Sequence, residues 1–129
     1  MLPAEVMAVQ LAQAILFVDD IDAMSDFYVE RFDLRVIHQE PGYIRLDSGG
    51  SVLALHTLRR PDGAPPPAAP PTPRTGGAIK LCFRVEDLEH ERARLAAAGV
   101  VMREIHRYSD VAFCDGVDPE GNVFQLTTR

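Results

Sequence analysis

The strongest constraint in this sequence is an internal repeat. QAILFVDDIDAMSDFYVERFDLRV, beginning at Gln13, is answered 67 residues later by KLCFRVEDLEHERARLAAAGVVMRE, beginning at Lys80. Each copy opens with a mostly apolar run ending in Val18 or Val85, followed by an acidic residue and then Asp20 or Asp87. An Asp there suits a helix N-cap, because its carboxylate takes the orphan amides of the first turn. Ile21, Met24, Phe27, Tyr28 and Phe32 follow at helical spacing, as do Leu88, Leu95 and the alanines around Leu95. Gly99 is placed to close the second helix in a left-handed cap. Asp33 stands in the matching place of the first copy, tolerable there but less comfortable.

Three short strands are expected after each helix: 34–39, 42–47 and 51–57, then 100–107, 111–116 and 121–128. Pro41-Gly42 suits a type II turn, Ser48-Gly49-Gly50 a hairpin connection, and Asp118-Pro119-Glu120-Gly121-Asn122 the last turn. The unit is therefore βαβββ, used twice. The expected fold is α+β: two βαβββ modules forming a curved mixed sheet around a cleft, each covered by a helix on one face. Module 1 spans about 11–59 and module 2 about 78–128, within a single domain of 129 residues. Between them, 60–77 holds seven of the ten prolines, which fix φ and remove donors, so it joins neither sheet nor helix. It reads as a stiff connector, either a passive linker or a lid.

Composition narrows the function. A net charge of −6 argues against a nucleic-acid or anionic-membrane face. No apolar run is long enough to span a bilayer, and the opening MLPAEVMAVQ lacks the basic and apolar regions of a secretory leader. Cys82 and Cys114 form no CxxC pair and fit a reducing, cytoplasmic setting.

The duplicated βαβββ, the early Val18-x-Asp20 with Phe27-Tyr28 and the late DPEGN turn resemble the vicinal oxygen chelate superfamily over residues 11–128. That superfamily includes glyoxalase I, type I extradiol dioxygenases, fosfomycin resistance enzymes and bleomycin-binding resistance proteins. The resemblance implies paired modules around a cavity, often in homodimers. Function within it ranges from isomerases and oxygenases to pure binders. It also implies four cavity positions where the metalloenzymes place ligands, on the first and last strand of each module. Here they hold Gln13, Ala54, Lys80 and Gln125. An ammonium has no lone pair, a methyl has no donor atom, and two neutral amides do not offset the desolvation of a divalent ion. No metal and no other cofactor is expected.

Period-two alternation extends the lining. Phe17 follows Gln13, His56 follows Ala54, Cys82 follows Lys80, and Tyr43 and Arg45 lie opposite helix-facing Ile44 and Leu46. His56 is either a rim histidine or a hydrogen-bonding, acid–base group. Cys82 is a packed cysteine or a thiolate near a cation. Lys80 is either a plug, its amine bonded to Gln13 or Gln125, or the receptor for an anionic ligand group. His38 and His106 sit on strands whose facing the alternation leaves open, and His90 lies on the charged side of the second helix. No nucleophile with a base and an orienting group is legible, so no catalytic residue is assigned.

The leading expectation is a metal-free small-molecule binder of antibiotic-type or anionic aromatic compounds, homodimeric and cytoplasmic. The alternatives are a glyoxalase-like lyase or isomerase, or a dioxygenase-like enzyme, with an atypical metal site, and thirdly a protein-interaction module.

Overall fold

A computed structural model describes residues 8–66 and 68–129. Residues 1–7, within the segment read as lacking a leader, and Pro67 of the connector lie outside the described residues. The chain divides between Arg59 and Arg60 into two compact units.

In the first unit, β1 (Ala14–Val18) leads into α1 (Ile21–Phe32), followed by β2 (Arg35–Glu40), β3 (Tyr43–Asp47) and β4 (Val52–Thr57). Asp20 caps α1 as expected, accepting from the Ala23 amide at 3.0 Å. Asp33 ends the helix in the left-handed region at φ 59°. The sheet order is β1-β4-β3-β2, with β1 and β4 parallel and the other pairs antiparallel. Val18, Ile44, Leu46, Leu53 and Leu55 are buried together with Met24 and Tyr28 of α1. Each such side chain contributes about 1.5–3 kcal/mol by leaving water, which ties the helix to this face. Among the described residues of this unit α1 is the one helix, and it leaves the opposite face of the sheet open.

The second unit repeats the plan with β5 (Leu81–Arg84), α2 (Leu88–Ala97), β6 (Val101–Met102), β7 (His106–Tyr108), β8 (Val111–Val117) and β9 (Val123–Thr127). Asp87 caps α2 by accepting from the His90 amide at 3.0 Å. Gly99 follows the helix at φ +89°. The sheet runs β5-β9-β8-β6, with β7 also paired to β8, and its helix-facing core holds Leu88, Leu95, Ala112, Cys114, Phe124 and Leu126. Gly116 belongs to that layer: a Cβ there would come within 2.4 Å of the Phe124 ring and 2.6 Å of the Met102 sulfur.

The expected single strand over 100–107 is corrected to two. Met102 pairs with Gly116 and His106 with Phe113, so four residues are spent on one side against three on the other. That extra residue is a bulge, which reverses side-chain parity along the strand. The equivalent strand β2 behaves likewise. Val36 pairs with Leu46 but His38 with Arg45, and the shift carries His38 to the face away from the helix.

The described residues of the 60–77 segment form no strand or helix, as expected, but they are not a free span. The Arg74 amide donates to the Gly121 carbonyl at 2.8 Å. A Cβ on Gly121, at φ +87°, would meet the Thr72 carbonyl oxygen at 2.3 Å. The chain after Pro71 thus lies directly on the DPEGN turn. That turn is built around buried Asp118, whose carboxylate accepts from the Glu120 and Asn122 amides and from the Asn122 side chain.

Candidate functional site

The open face of the first sheet gathers six of the residues expected to line a site. Register sets Ile15, Ala54 and Arg45 abreast, and Phe17, His56 and Tyr43 abreast one step further on. Gln13 stands immediately before β1 rather than within it. Its amide is nonetheless part of the face: Arg45 Nε donates to Gln13 Oε1 at 3.0 Å, and Gln13 Nε2 donates to the Tyr43 hydroxyl at 3.0 Å. Phe17 and His56 approach to 5.4 Å between ring centroids, His56 and Tyr43 to 6.2 Å, and Tyr43 and His38 to 5.9 Å. His56 is exposed, and its Nδ1 lies 2.9 Å from the Thr57 carbonyl oxygen. Ala54 is fully buried between its neighbours.

The open face of the second sheet gathers the other three. Lys80 also precedes its strand, β5, and Cys82 pairs with Gln125 across to β9. The Lys80 ammonium is held by Asp115 at 2.9 Å, with Gln125 Nε2 on the other oxygen of the same carboxylate at 3.3 Å. The expected partners of a plugging lysine, Gln13 or Gln125, are thereby corrected to Asp115. Asp115 stands outside the residues expected from the sequence, because the expected lining includes none from β8. The signal was there: in VAFCDGV, apolar Ala112 and Cys114 alternate with Phe113 and Asp115, which puts the latter pair on the open face. Cys82 is exposed, its sulfur 3.9 Å from Gln125 Oε1. Beside it runs an open groove of about 680 Å³, lined by Cys82, Arg84, Tyr108, Phe113, Gln125 and Thr127 among others.

The groups with displaced titration stand off these faces. Burial on the helix side pushes the Cys114 thiol up. Glu89, on α2, is held below the usual carboxylate range by its own backbone hydrogen bond and then by Arg107. His90 is exposed on α2, and His106 packs against Phe113 at 5.7 Å.

The family signature of the Glyoxalase/Bleomycin resistance protein/Dioxygenase superfamily matches residues 10–126. The chain belongs to this superfamily. Among solved structures it is similar to a lactoylglutathione lyase from Agrobacterium tumefaciens, at 25% identity and TM-score 0.68 over 92% of each chain. It shares its fold with a mutant of the fosfomycin resistance protein FosX from Listeria monocytogenes, solved in complex with Mn(II) and a dihydroxypropylphosphonic acid. That likeness has 15% identity and TM-score 0.72, over 95% of this chain and 91% of that one. An integron cassette protein from V. cholerae shares it too, at 22% identity and TM-score 0.67, over 95% and 97% of the two chains. No curated protein sequence matches the chain.

As a glyoxalase-superfamily chain it can be tested for the divalent metal of its metalloenzyme relatives, and its residues do not fit one. Gln13 Oε1, the donor oxygen on the first sheet, already accepts from a guanidinium, and that cation opposes a second one beside it. On the second sheet the ammonium of Lys80 occupies the Asp115 carboxylate. Among the described residues no group of three His, Cys, Asp or Glu is placed to hold a metal ion. No helix of the described residues is long and apolar enough to cross a membrane.

Proposed function

We propose that this glyoxalase-superfamily chain is a small-molecule binding protein that works without a metal or other cofactor. Its ligand class is antibiotic-type or anionic aromatic. The observation that carries the reading is the groove of about 680 Å³ on the open face of the second sheet. Its lining joins apolar Val111 and Phe113 to a few polar groups, Arg84, Gln125 and Thr127 among them, the usual make-up of a site for a small organic molecule. Gln13, Phe17, Tyr43, Arg45, Ala54 and His56 on the first sheet, and Lys80, Cys82 and Gln125 on the second, are proposed as ligand contacts. A homodimer in the cytoplasm, with neither nucleic acid nor membrane as partner, completes the proposal.

Metal analysis of the dialysed protein, paired with a thermal-shift screen of small aromatic acids and antibiotics, tests this. The expected result is less than a tenth of an ion per chain, by order of magnitude, and at least one stabilising compound. About one transition ion per chain would overturn it. The likeness to a lactoylglutathione lyase favours a second reading, a glyoxalase-like lyase or isomerase with an atypical metal site. Metal-dependent turnover of a hemithioacetal would establish that reading instead. A monomeric mass by light scattering would remove the dimer and leave the rest.

A further inference from the structure

Resting on the reading of the chain as a metal-free binder, we infer that the open face of the first sheet has its own anion-recognising group, Arg45, and that this face takes a planar aromatic monocarboxylate. Arg45 sits half-buried in the middle of β3, abreast of His38 on one side and Ala54 on the other. Its Nε is committed to Gln13, and Gln13 is itself held by the Tyr43 hydroxyl, so the guanidinium plane is fixed by a neutral chain of hydrogen bonds. No carboxylate among the described residues pairs with it. Asp47, two residues along β3, is taken by Arg35 at 2.9 Å, and Glu40 lies 3.7 Å from His38. The matching place on the second sheet is the reverse case, for there Asp115 and Lys80 cancel each other.

A cation half withdrawn from water and facing only neutral partners is stabilised by an arriving anion. With Nε used, the two terminal nitrogens remain, a fork that matches the two oxygens of a carboxylate. One uncompensated charge, on a chain of net charge −6, suits a monoanion better than a dianion. The body of the ligand is indicated by what lies next to the fork. Phe17, His56, Tyr43 and His38 form a continuous row of rings across all four strands, and Phe17 at its end is 50% exposed. Planar aromatic surface packs on such a row in offset or tilted geometry.

Isothermal titration with 2-naphthoate, its neutral amide 2-naphthamide, and cyclohexanecarboxylate tests both halves of the inference. Wild-type protein is expected to bind naphthoate about ten- to a hundredfold more tightly than naphthamide, the range for one charge-assisted pair. It should also prefer naphthoate to cyclohexanecarboxylate. Arg45→Met should bring naphthoate down to the level of naphthamide, and Arg35→Met, a paired arginine on the same sheet, should not. If Arg45→Met fails to fold by circular dichroism, Arg45→Gln is expected to give the same loss. Equal binding of naphthoate and naphthamide, no binding of naphthoate, or a preference lost in Lys80→Met but kept in Arg45→Met would overturn the assignment. Equal binding of naphthoate and cyclohexanecarboxylate would overturn the aromatic half. One metal ion per chain with the naphthoate preference intact overturns the metal-free reading alone, and a metal-free protein without the preference overturns this inference alone.

Discussion

Replacing Gly121 by Ala tests whether the proline-rich segment is fastened to the second module. Two costs combine at this position. At φ +87° an L-residue is strained, by about 1–2 kcal/mol for a left-handed conformation. The new Cβ would also meet the Thr72 carbonyl oxygen at 2.3 Å, and that backbone atom yields only if the segment lifts off. Lifting breaks the hydrogen bond from the Arg74 amide to the Gly121 carbonyl, worth about 0.5–1.5 kcal/mol net. The expected loss is thus about 1.5–3.5 kcal/mol. Gly49→Ala supplies the control, since Gly49 has φ +67° with nothing within 4 Å of a new Cβ, so it carries the backbone strain alone. In urea denaturation Gly121→Ala should lose about 0.5–1.5 kcal/mol more than Gly49→Ala at similar m-values. Limited trypsin digestion should cut after Arg74 faster in Gly121→Ala than in wild type. Equal losses in the two variants, with unchanged cleavage at Arg74, would refute the idea that the turn holds the segment.

Gly116→Ala forces a methyl into space held by Phe124 and Met102, and is expected to lower stability by about 1–3 kcal/mol in the same denaturation assay. Lys80→Met removes one side of a pair whose lysine is 42% exposed, while Gln125 still serves Asp115. The expected stability loss is below about 1 kcal/mol, and a loss above about 2 would make Lys80 a structural plug. Because burial raises the Cys114 thiol, the unfolded chain loses that proton first as pH climbs. Its contribution is whole below the ordinary thiol value of about 8.5 and drains away above it, by at most about 1.4 kcal/mol per pH unit. Stability curves between pH 7 and 9.5 should therefore slope downward, and less steeply in Cys114→Ala.

The fold was largely legible because its signals are local. An Asp before each helix, apolar residues at helical spacing and glycines where φ turns positive each act within a few residues. Counted from the positions that the resemblance supplies, alternation put Phe17, Tyr43, Arg45 and His56 on the face of Ala54, since side-chain parity holds wherever a strand is unbroken. It failed at the bulges of β2 and β6–β7, where one extra residue reverses parity without a mark in composition. Parity counted along these strands therefore assigns no facing to His38 or His106.

The repeat and the two helices follow from the amino-acid sequence alone, because each depends on residue identity and near-neighbour spacing. The partners of the charges were decided only by tertiary structure. Lys80 meets Asp115 across 35 residues of chain, and Arg45 meets Gln13 across 32, each pair brought together by strand register. The seating of Thr72 and Arg74 on Gly121 is of the same kind, a contact between segments far apart in sequence. Which cation is compensated and which still faces neutral groups is a property of such long-range pairings, and no local pattern of residues encodes it.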